Sequence, residues 1–234
     1  MASVRAWLEL ARASNLPTVW TNALCAAVLA GGELVSARGA AATAAVSLLY
    51  VAGMSLNDLL DVEEDRVRKP ARPLPSGRIS LRGAALFTGG LLLAAVALLA
   101  VFCGWTSLSW GVALGVAVFL YDALHRKHPA TVLLMAACRA LVFPVVASAL
   151  VGAVSLSVAV AAGIQFAYVV ALTLVARWEK TASRRPVLPI PWLLAGISLV
   201  DGAVLAVLRH PAWLLAGLAG ALLTRAGQRW VPGD

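Results

Sequence analysis

The sequence predicts an all-α membrane protein, a bundle of about eight transmembrane helices around a central cavity that opens to the cytoplasmic side. Composition is the first reason: 61% of the 234 residues are hydrophobic, and the mean hydropathy is +0.87. Several apolar runs also reach or approach the roughly 20 residues needed to cross a bilayer. The charged residues fall mainly into short segments between these runs. Because no linker is long enough to divide the chain, residues 1–234 are predicted to form a single domain.

The predicted elements follow one another along the chain. Residues 1–15 are expected to form an amphipathic segment ahead of the first span. The predicted spans, of which the fourth and the eighth are short, are residues 16–35, 40–56, 83–103, 105–120, 131–152, 156–176, 190–208 and 212–226. Polar segments at 57–82, 121–130 and 177–189 follow the second, fourth and sixth spans, whereas the third and fifth spans end in short turns. These three polar segments are the predicted functional loops.

Positive charge places these loops on one side of the membrane. With the N-terminus inside, 16 of the 19 Lys and Arg residues lie on one face, Arg38 and Arg209 lie on the other, and Arg139 lies within a span. The positive-inside rule therefore predicts a multi-pass protein of a bacterial-type inner (plasma) membrane, with both termini and all three loops in the cytoplasm. The net charge of +8 is explained by this topology and by anionic headgroups of membrane lipids. No nucleic-acid-binding module is visible.

The segment 56–80, LNDLLDVEEDRVRKPARPLPSGRIS, is a dense polar stretch between two apolar runs. In it Asn57, Asp61 and Asp65 recur every four residues, with Asp58 beside the first. If the stretch is helical, this spacing stacks the three side chains along one face. Stacked carboxylates repel one another unless a cation compensates, and hard oxygen ligands suit Mg²⁺ together with substrate phosphates. The pattern therefore indicates a magnesium site.

The second half of the same segment is basic and rich in proline. Arginine offers a forked, permanently charged donor that matches phosphate oxygens. Arginines beside a membrane can also simply bind headgroups and fix the topology. The carboxylates immediately before them favour a bound diphosphate, because a metal ion and arginines together neutralise that group. The basic residues concerned are Arg66, Arg68, Lys69, Arg72 and Arg78.

NDLLDVEED followed by RPLPSGRIS resembles the first aspartate-rich motif of the UbiA superfamily of intramembrane prenyltransferases. LARASNLPTVWTNALCA at 10–26 is similar to the family's entry to its first helix, and YDALHRK at 121–127 resembles its Tyr/Lys motif after helix four. MAACRALVFP at 135–144, together with the short chain, resembles a divergent EboC-like branch.

The resemblance implies a helical bundle whose lipid-accessible cavity binds an isoprenyl diphosphate through Mg²⁺. It assigns the catalytic role to Asp61, Asp65 and Tyr121. The implied metal-site residues are Asn57, Asp58, Asp61, Asp65 and Glu179, with Asp58 in a supporting role. The implied diphosphate- and substrate-binding residues are Arg12, Asn22, Arg72, Arg126, Lys127, Arg139, Arg177 and Lys180. Of these, Asn22 is expected to point into the cavity, and Arg126 and Lys127 share one position of the family's motif.

The chain departs from the family where a second aspartate-rich motif is expected. Residues 172–186 contain a single carboxylate, Glu179. Either one metal ion suffices, with Arg177 and Lys180 replacing the second, or the catalytic step is lost. The chain is also short for the family, which usually has nine spans.

Two charged residues lie inside predicted spans. An arginine at position 139 is costly in a bilayer unless it faces a cavity or a partner. It either snorkels to the interface or points into the cavity, towards the phosphate or a motif carboxylate. Asp201 is expected to form an ion pair with Arg209 near the end of its helix.

The resemblance implies an enzyme that ionises an isoprenyl diphosphate and transfers the prenyl group to a lipophilic acceptor. Two alternatives remain open: a terpene cyclase that needs no acceptor, and a non-catalytic membrane protein that binds or transports a prenylated metabolite. The intact first motif favours an enzyme, whereas the missing second motif favours the non-catalytic alternative.

Overall fold

The computed structural model describes residues 3–125, 128–182 and 190–233, apart from the side chains of residues 179–182. Within these ranges the chain forms helices and turns and no strands. The α-helices are α1 Val4–Leu10, α2 Leu16–Ala30, α3 Ala37–Leu60, α4 Val62–Arg68, α5 Leu81–Leu98, α6 Gly104–Leu124, α7 Thr131–Ala140, α8 Val142–Val151, α9 Leu156–Ala182, α10 Ile190–Leu208 and α11 Leu214–Gln228. Short 3₁₀ turns at Ala13–Asn15 and Pro211–Trp213 precede α2 and α11, and a π-helical turn at Leu99–Cys103 follows α5. The predicted all-α fold is confirmed.

Serines and glycines mark the ends of several helices. The hydroxyls of Ser36 and Ser80 accept hydrogen bonds from backbone amides in the first turns of α3 and α5. Gly31 and Gly152 end α2 and α8 in the left-handed conformation, with φ of 74° and 75°. These caps satisfy backbone groups that would otherwise be left without partners in an apolar surrounding.

The outer surface of the bundle is apolar. Leu86, Leu93 and Val207 are 78%, 74% and 84% exposed, and many other large apolar side chains are exposed as well. A soluble protein rarely exposes so much contiguous apolar surface, whereas lipid accommodates it. The interior consists largely of small and β-branched side chains around Phe143, which is fully buried in α8.

Five stretches of the described chain are long and apolar enough to cross a membrane: Ala37–Leu60, Leu81–Leu124, Thr131–Val151, Leu156–Trp178 and Ile190–Leu208. The predicted total of eight spans is not confirmed. Helices α2 and α11 have 15 residues each, so they are about 22 Å long against a hydrocarbon core of about 30 Å.

The Leu81–Leu124 stretch is a hairpin of two antiparallel helices. At one end the Cys103 thiol lies 3.8 Å from the backbone oxygen of Arg38, at the start of α3. At the other end, residues near the C-terminus of α3 contact both Thr88 of α5 and Asp122 of α6. The chain reverses at Gly104, whose φ of 79° favours glycine. This hairpin returns the end of α6 to the end of α3.

The N-terminal segment lies over the loop that follows α4. The predicted amphipathic segment is helical at Val4–Leu10, and its buried residues Ala6 and Leu10 pack with Leu74 and Ile79 of that loop. Glu9 accepts a hydrogen bond from Arg5 at 3.0 Å. Ala6 and Leu10 on α1 are thus buried against protein.

Candidate active site

The polar motif lies at the junction of α3 and α4. Helix α3 ends at Leu60, and Asp61 separates it from α4. The helical backbone hydrogen bonds nevertheless continue. The backbone N–H of Asp61 donates to the backbone oxygen of Asn57, and that of Asp65 donates to the backbone oxygen of Asp61, both at 2.9 Å. The predicted helical spacing of Asn57, Asp61 and Asp65 is therefore present in the structure. We call this end of the bundle the motif end.

Two arginines converge on the carboxylates of this motif. Arg12 donates to Asp58 Oδ1 at 3.0 Å, and Arg72 donates to the same oxygen at 3.1 Å. Arg72 also bonds Asp65 Oδ2 at 2.5 Å. Asp58 and Asp65 are only 3% and 7% exposed. Charge-assisted bonds of this kind fix both guanidinium groups beside the acidic motif.

The backbone at Arg12 is strained. Its φ of 44° and ψ of 48° make it the one non-glycine residue in the left-handed region among the residues described. This conformation costs about 1–2 kcal/mol in a residue with a side chain. It turns the chain between α1 and α2 so that the guanidinium reaches Asp58 and Met54 on α3. Strain retained at such a position is typical of a functional site.

Asp61 and Tyr121 are linked through a histidine. His125 Nε2 lies 3.3 Å from Asp61 Oδ2. The rings of His125 and Tyr121 stack with their centroids 5.4 Å apart. The C-terminal turn of α6 therefore lies beside the C-terminal turn of α3.

Asp122 is a site residue that sequence reasoning missed. Its Oδ1 accepts a hydrogen bond from the Asn57 amide at 3.2 Å. Its Oδ2 is buried without a hydrogen-bond partner among the described residues, and the residue is 5% exposed. The signal was its position directly after Tyr121 in YDALHRK, a segment in which only the tyrosine and the basic residues were considered.

A cavity of about 150 Å³ lies within the bundle. Its walls are mainly apolar side chains of α2, α3 and α6 to α10. The polar and charged side chains at its wall are Arg12, Asn15, Tyr50, Tyr121, Asp122 and Arg139. An apolar chamber with charged groups at its wall suits a ligand with an apolar tail and an anionic head.

Arg139 points into the cavity, as one of the two sequence-based alternatives proposed. Its guanidinium carbon lies 5.3 Å from the centroid of the Tyr50 ring, a cation–π arrangement. It also lies near Asn22, with 3.4 Å between Arg139 Nη1 and Asn22 Oδ1. The snorkelling alternative is not what the structure shows.

Two predictions about this region are wrong. Asn22 does not point into the cavity: it is fully buried and donates to Asp201 Oδ2 at 2.8 Å. Asp201 does not pair with Arg209, which instead donates to the backbone oxygen of Leu29 at 2.9 Å. Helix α10 packs against α2, so Asp201 faces Asn22 within the bundle rather than the helix end.

Among the remaining predicted site residues, the structure describes the side chain of Arg177. Arg177 donates to the Pro129 oxygen at 2.7 Å and to Thr131 Oγ1 at 3.1 Å, and so joins α9 to the start of α7. It does not line the cavity. Arg126 and Lys127, and the side chains of Glu179 and Lys180, lie outside the described residues.

The donor atoms at the motif end fit a magnesium ion that also binds phosphate. Within the ranges described, no three His, Cys, Asp or Glu side chains are close enough to bind a metal ion by themselves. Magnesium is commonly bound by one or two carboxylates while waters and substrate phosphates complete its octahedron. Asp61 and the amide oxygen of Asn57 supply that kind of partial ligand set.

Together these features define a helical membrane protein with an acidic and arginine-rich site at one end of an apolar cavity. The model of the UbiA prenyltransferase family matches residues 17–231, and the chain belongs to this family. The family named from the sequence motifs is confirmed.

Curated relatives align with part of the chain. A digeranylgeranylglyceryl phosphate synthase from Ignicoccus hospitalis is 42% identical over 89 residues, 38% of this chain and 29% of the relative. The corresponding synthase from Sulfolobus acidocaldarius is 35% identical over 120 residues, 51% of this chain and 42% of the relative. The alignments thus span less than half of the length of these relatives.

Solved structures share the fold over nearly the whole chain. A digeranylgeranylglyceryl phosphate synthase structure has a TM-score of 0.68 at 19% identity and covers 98% of this chain and 88% of its own. A UbiA homologue from Archaeoglobus fulgidus, bound to GPP and Mg²⁺, has a TM-score of 0.64 at 18% identity, with 94% and 86% covered. At these identities the likeness concerns the fold.

Proposed function

We propose that this protein is a magnesium-dependent intramembrane prenyltransferase that moves a prenyl group from an isoprenyl diphosphate to a lipophilic acceptor. The observation that supports this most is the pair of partly buried arginines, Arg12 and Arg72, fixed by Asp58 beside an acidic motif. The apolar cavity adjoins the same site, since Arg12 lines it. A diphosphate and its hydrocarbon tail need these two environments side by side.

The relatives support the same activity. Two of them are named as digeranylgeranylglyceryl phosphate synthases, and a UbiA homologue was solved with GPP and Mg²⁺. These names favour transfer to an acceptor over the two alternatives, internal cyclisation and non-catalytic transport. In a cytoplasm-facing orientation, which the distribution of basic residues favours, the motif end would receive its diphosphate substrate from the cytoplasm.

Each group at the motif end has a distinct part in the proposed reaction. Asn57, Asp61 and Asp65 would hold Mg²⁺, which supplies positive charge to the diphosphate when bound. Arg12 and Arg72 donate to diphosphate oxygens as the carbon–oxygen bond to the diphosphate breaks and its electron pair leaves with the diphosphate.

The prenyl group then reacts with the acceptor inside the cavity. A new bond forms from the acceptor to the allylic carbon, and the proton that the acceptor loses passes to the released diphosphate. The apolar lining excludes water, which would otherwise capture the allylic cation. Tyr121 lies at the cavity wall beside the motif, which supports a role in closing over the leaving group.

Diphosphate binding and prenyl transfer are the direct test. Protein in detergent is incubated with Mg²⁺, radiolabelled geranyl, farnesyl or geranylgeranyl diphosphate and a total lipid extract as the source of acceptor. We expect label to move into the lipid fraction, and Asp61→Ala to lower that rate about 10²–10³-fold, the loss typical of removing one preorganised electrostatic group. Binding of each diphosphate with and without Mg²⁺ is measured in parallel.

Glu63→Gln is the matched control, because Glu63 lies on α4 near the motif with an exposed side chain bonded to Arg66. It should leave the rate unchanged. Diphosphate binding that is independent of Mg²⁺ and of Asp61 would overturn the assignment of the metal site. Diphosphate release with no labelled adduct would identify a cyclase, and Mg²⁺-dependent binding with neither release nor adduct would identify a non-catalytic binder.

A further inference from the structure

The carboxylates of the motif differ in what already neutralises them. Asp58 receives both arginines, and Asp65 receives Arg72. Asp61 contacts His125. Asp122 on α6 is the exception among these acidic groups, because its Oδ2 has no hydrogen-bond partner within the described structure.

A buried carboxylate oxygen without a partner is energetically unfavourable. Burying such a group without a hydrogen bond costs about 1–3 kcal/mol, and more when the group is charged. Asp122 lies in the cavity wall, where a ligand can reach it, and it is 95% buried, since 5% of it is exposed. An unsatisfied group of this kind at a cavity wall indicates that a bound cation or donor completes its coordination.

The other oxygen of Asp122 determines which way the Asn57 amide faces. A primary amide has an NH₂ end that donates and an oxygen end that accepts. Because Asn57 Nδ2 donates to Asp122 Oδ1, the amide oxygen of Asn57 is the end left for a metal ion. Outer carboxylates that orient a ligand in this way commonly change metal affinity 10–100-fold.

We propose that Asp122 is part of the magnesium site, with its unpartnered Oδ2 as a ligand atom and its Oδ1 as the group that orients Asn57. Helix α6 thereby supplies a carboxylate that faces the α3–α4 motif, within a chain whose 172–186 segment contains only one. The inference rests on the proposed function, because it assumes that the motif end binds Mg²⁺ with a diphosphate.

Metal affinity tests this assignment without measuring turnover. Purified protein is titrated with Mn²⁺ in the presence of inorganic diphosphate, and free Mn²⁺ is followed by electron paramagnetic resonance. We expect Asp122→Asn to weaken Mn²⁺ binding about tenfold or more. Asp201→Asn removes an equally buried carboxylate that contacts Asn22 instead, and it should bind Mn²⁺ as the wild type does.

A change of ligand chemistry separates coordination from a merely structural role. Asp122→Cys replaces a hard oxygen with a soft thiolate, which shifts preference towards soft cations. We expect the ratio of Cd²⁺ to Mn²⁺ affinity to rise at least tenfold over the wild type. The wild type is the reference because its three native cysteines can also bind Cd²⁺. A structural role would leave this ratio unchanged even if the variant were less stable.

The outcomes distinguish this inference from the function on which it rests. If Asp61→Ala also leaves Mn²⁺ affinity unchanged, the magnesium site of the proposed function is wrong. A second outcome is that Asp61→Ala weakens Mn²⁺ binding while Asp122→Asn has wild-type Mn²⁺ affinity and Asp122→Cys has the wild-type ratio of Cd²⁺ to Mn²⁺ affinity. In that case only the role of Asp122 is wrong. If Asp122→Asn loses prenyl transfer but keeps its Mn²⁺ affinity, Asp122 Oδ2 binds the prenyl acceptor rather than the metal ion, and the proposal is overturned.

Discussion

Two groups of charged and polar side chains differ in how their charges are balanced. At the motif end, Asp58 and Asp65 are joined by Arg12 and Arg72, and all four come from the first 72 residues. In the middle of the bundle, Asp201 of α10, Asn22 of α2 and Arg139 of α7 form a chain from three helices. The first group lies at the end of the bundle beside a polar loop, and the second lies among the spans.

The two groups differ in whether they can bind a ligand in addition to their contacts within the protein. The mid-bundle group balances one carboxylate against one guanidinium, so its charges are largely matched within the protein. Removing one member leaves the other unmatched in a low-dielectric surrounding. The motif end joins two arginines to two carboxylates and has Asn57, Asp61 and Asp122 alongside. It can therefore exchange some of these internal contacts for a metal ion and a phosphate group.

The substitution with the largest expected effect disrupts the group of charged residues at the motif end. Arg72→Ala removes the side chain that joins Asp58 to Asp65, and it leaves Asp65 without its arginine and Asp58 with Arg12 alone. We expect prenyl transfer to fall about 10²–10³-fold, through lost charge stabilisation of the leaving diphosphate. The measurement is the labelled-lipid assay at saturating diphosphate.

Arg66→Ala is its matched control. Arg66 is a basic residue of the same segment, but its partner Glu63 is exposed. Exposed ion pairs contribute about 0–1 kcal/mol, so neither rate nor stability should change appreciably. Equal losses of prenyl-transfer rate in the Arg72 and Arg66 variants would mean that the net positive charge of the segment matters and the specific contacts of Arg72 do not.

The next effect tests the mid-bundle group. Asp201→Asn removes the carboxylate that Asn22 links to the Arg139 guanidinium, and the expected cost is at most the roughly 3–5 kcal/mol of breaking a direct buried charge pair. We expect a clear fall in the thermal unfolding midpoint in detergent. Arg139→Met combined with Asp201→Asn should recover much of that loss, because the double variant contains no unmatched charge. Additive losses in the double variant would show that the two residues are not coupled.

The smallest effect concerns the packing that positions Asp201. Gly202 follows it on α10, and a Cβ added at Gly217 of α11 would lie 2.8 Å from the Cα of Gly202 and 2.7 Å from the backbone oxygen of Ser198. Gly217→Ala should therefore separate the two helices and cost about 1–3 kcal/mol, as overpacking usually does. Gly115→Ala, which meets nothing within 4 Å, is the control and should not destabilise. Similar unfolding midpoints for the two variants would contradict the close contact.

The acidic motif was predictable because its geometry is local. Asn57, Asp61 and Asp65 keep their four-residue hydrogen-bonding pattern even though α3 ends within the motif. Arg72 lies seven residues beyond Asp65 in the chain, so its contact was also within reach of the sequence. The roles assigned to these residues in catalysis stay predictions.

The mid-bundle contacts were not predictable in the same way. Asn22 and Asp201 are 179 positions apart, and their pairing depends on how α10 packs against α2. Nearness in the chain suggested Arg209 as the partner of Asp201, but the direction of a side chain around its helix decided otherwise. Asp122 was missed for a similar reason, because its contact with Asn57 follows from the hairpin at Gly104.

The sequence by itself therefore determined the helical membrane fold, the family and the acidic motif, since hydropathy, composition and short-range spacing are properties of the linear chain. Only the tertiary structure decided which charges meet inside the bundle. It turned Asn22 away from the cavity, placed Arg139 in the cavity wall and left one oxygen of Asp122 without a partner. The physical reason is that helix packing sets the rotation and depth of each side chain, and no local pattern specifies either.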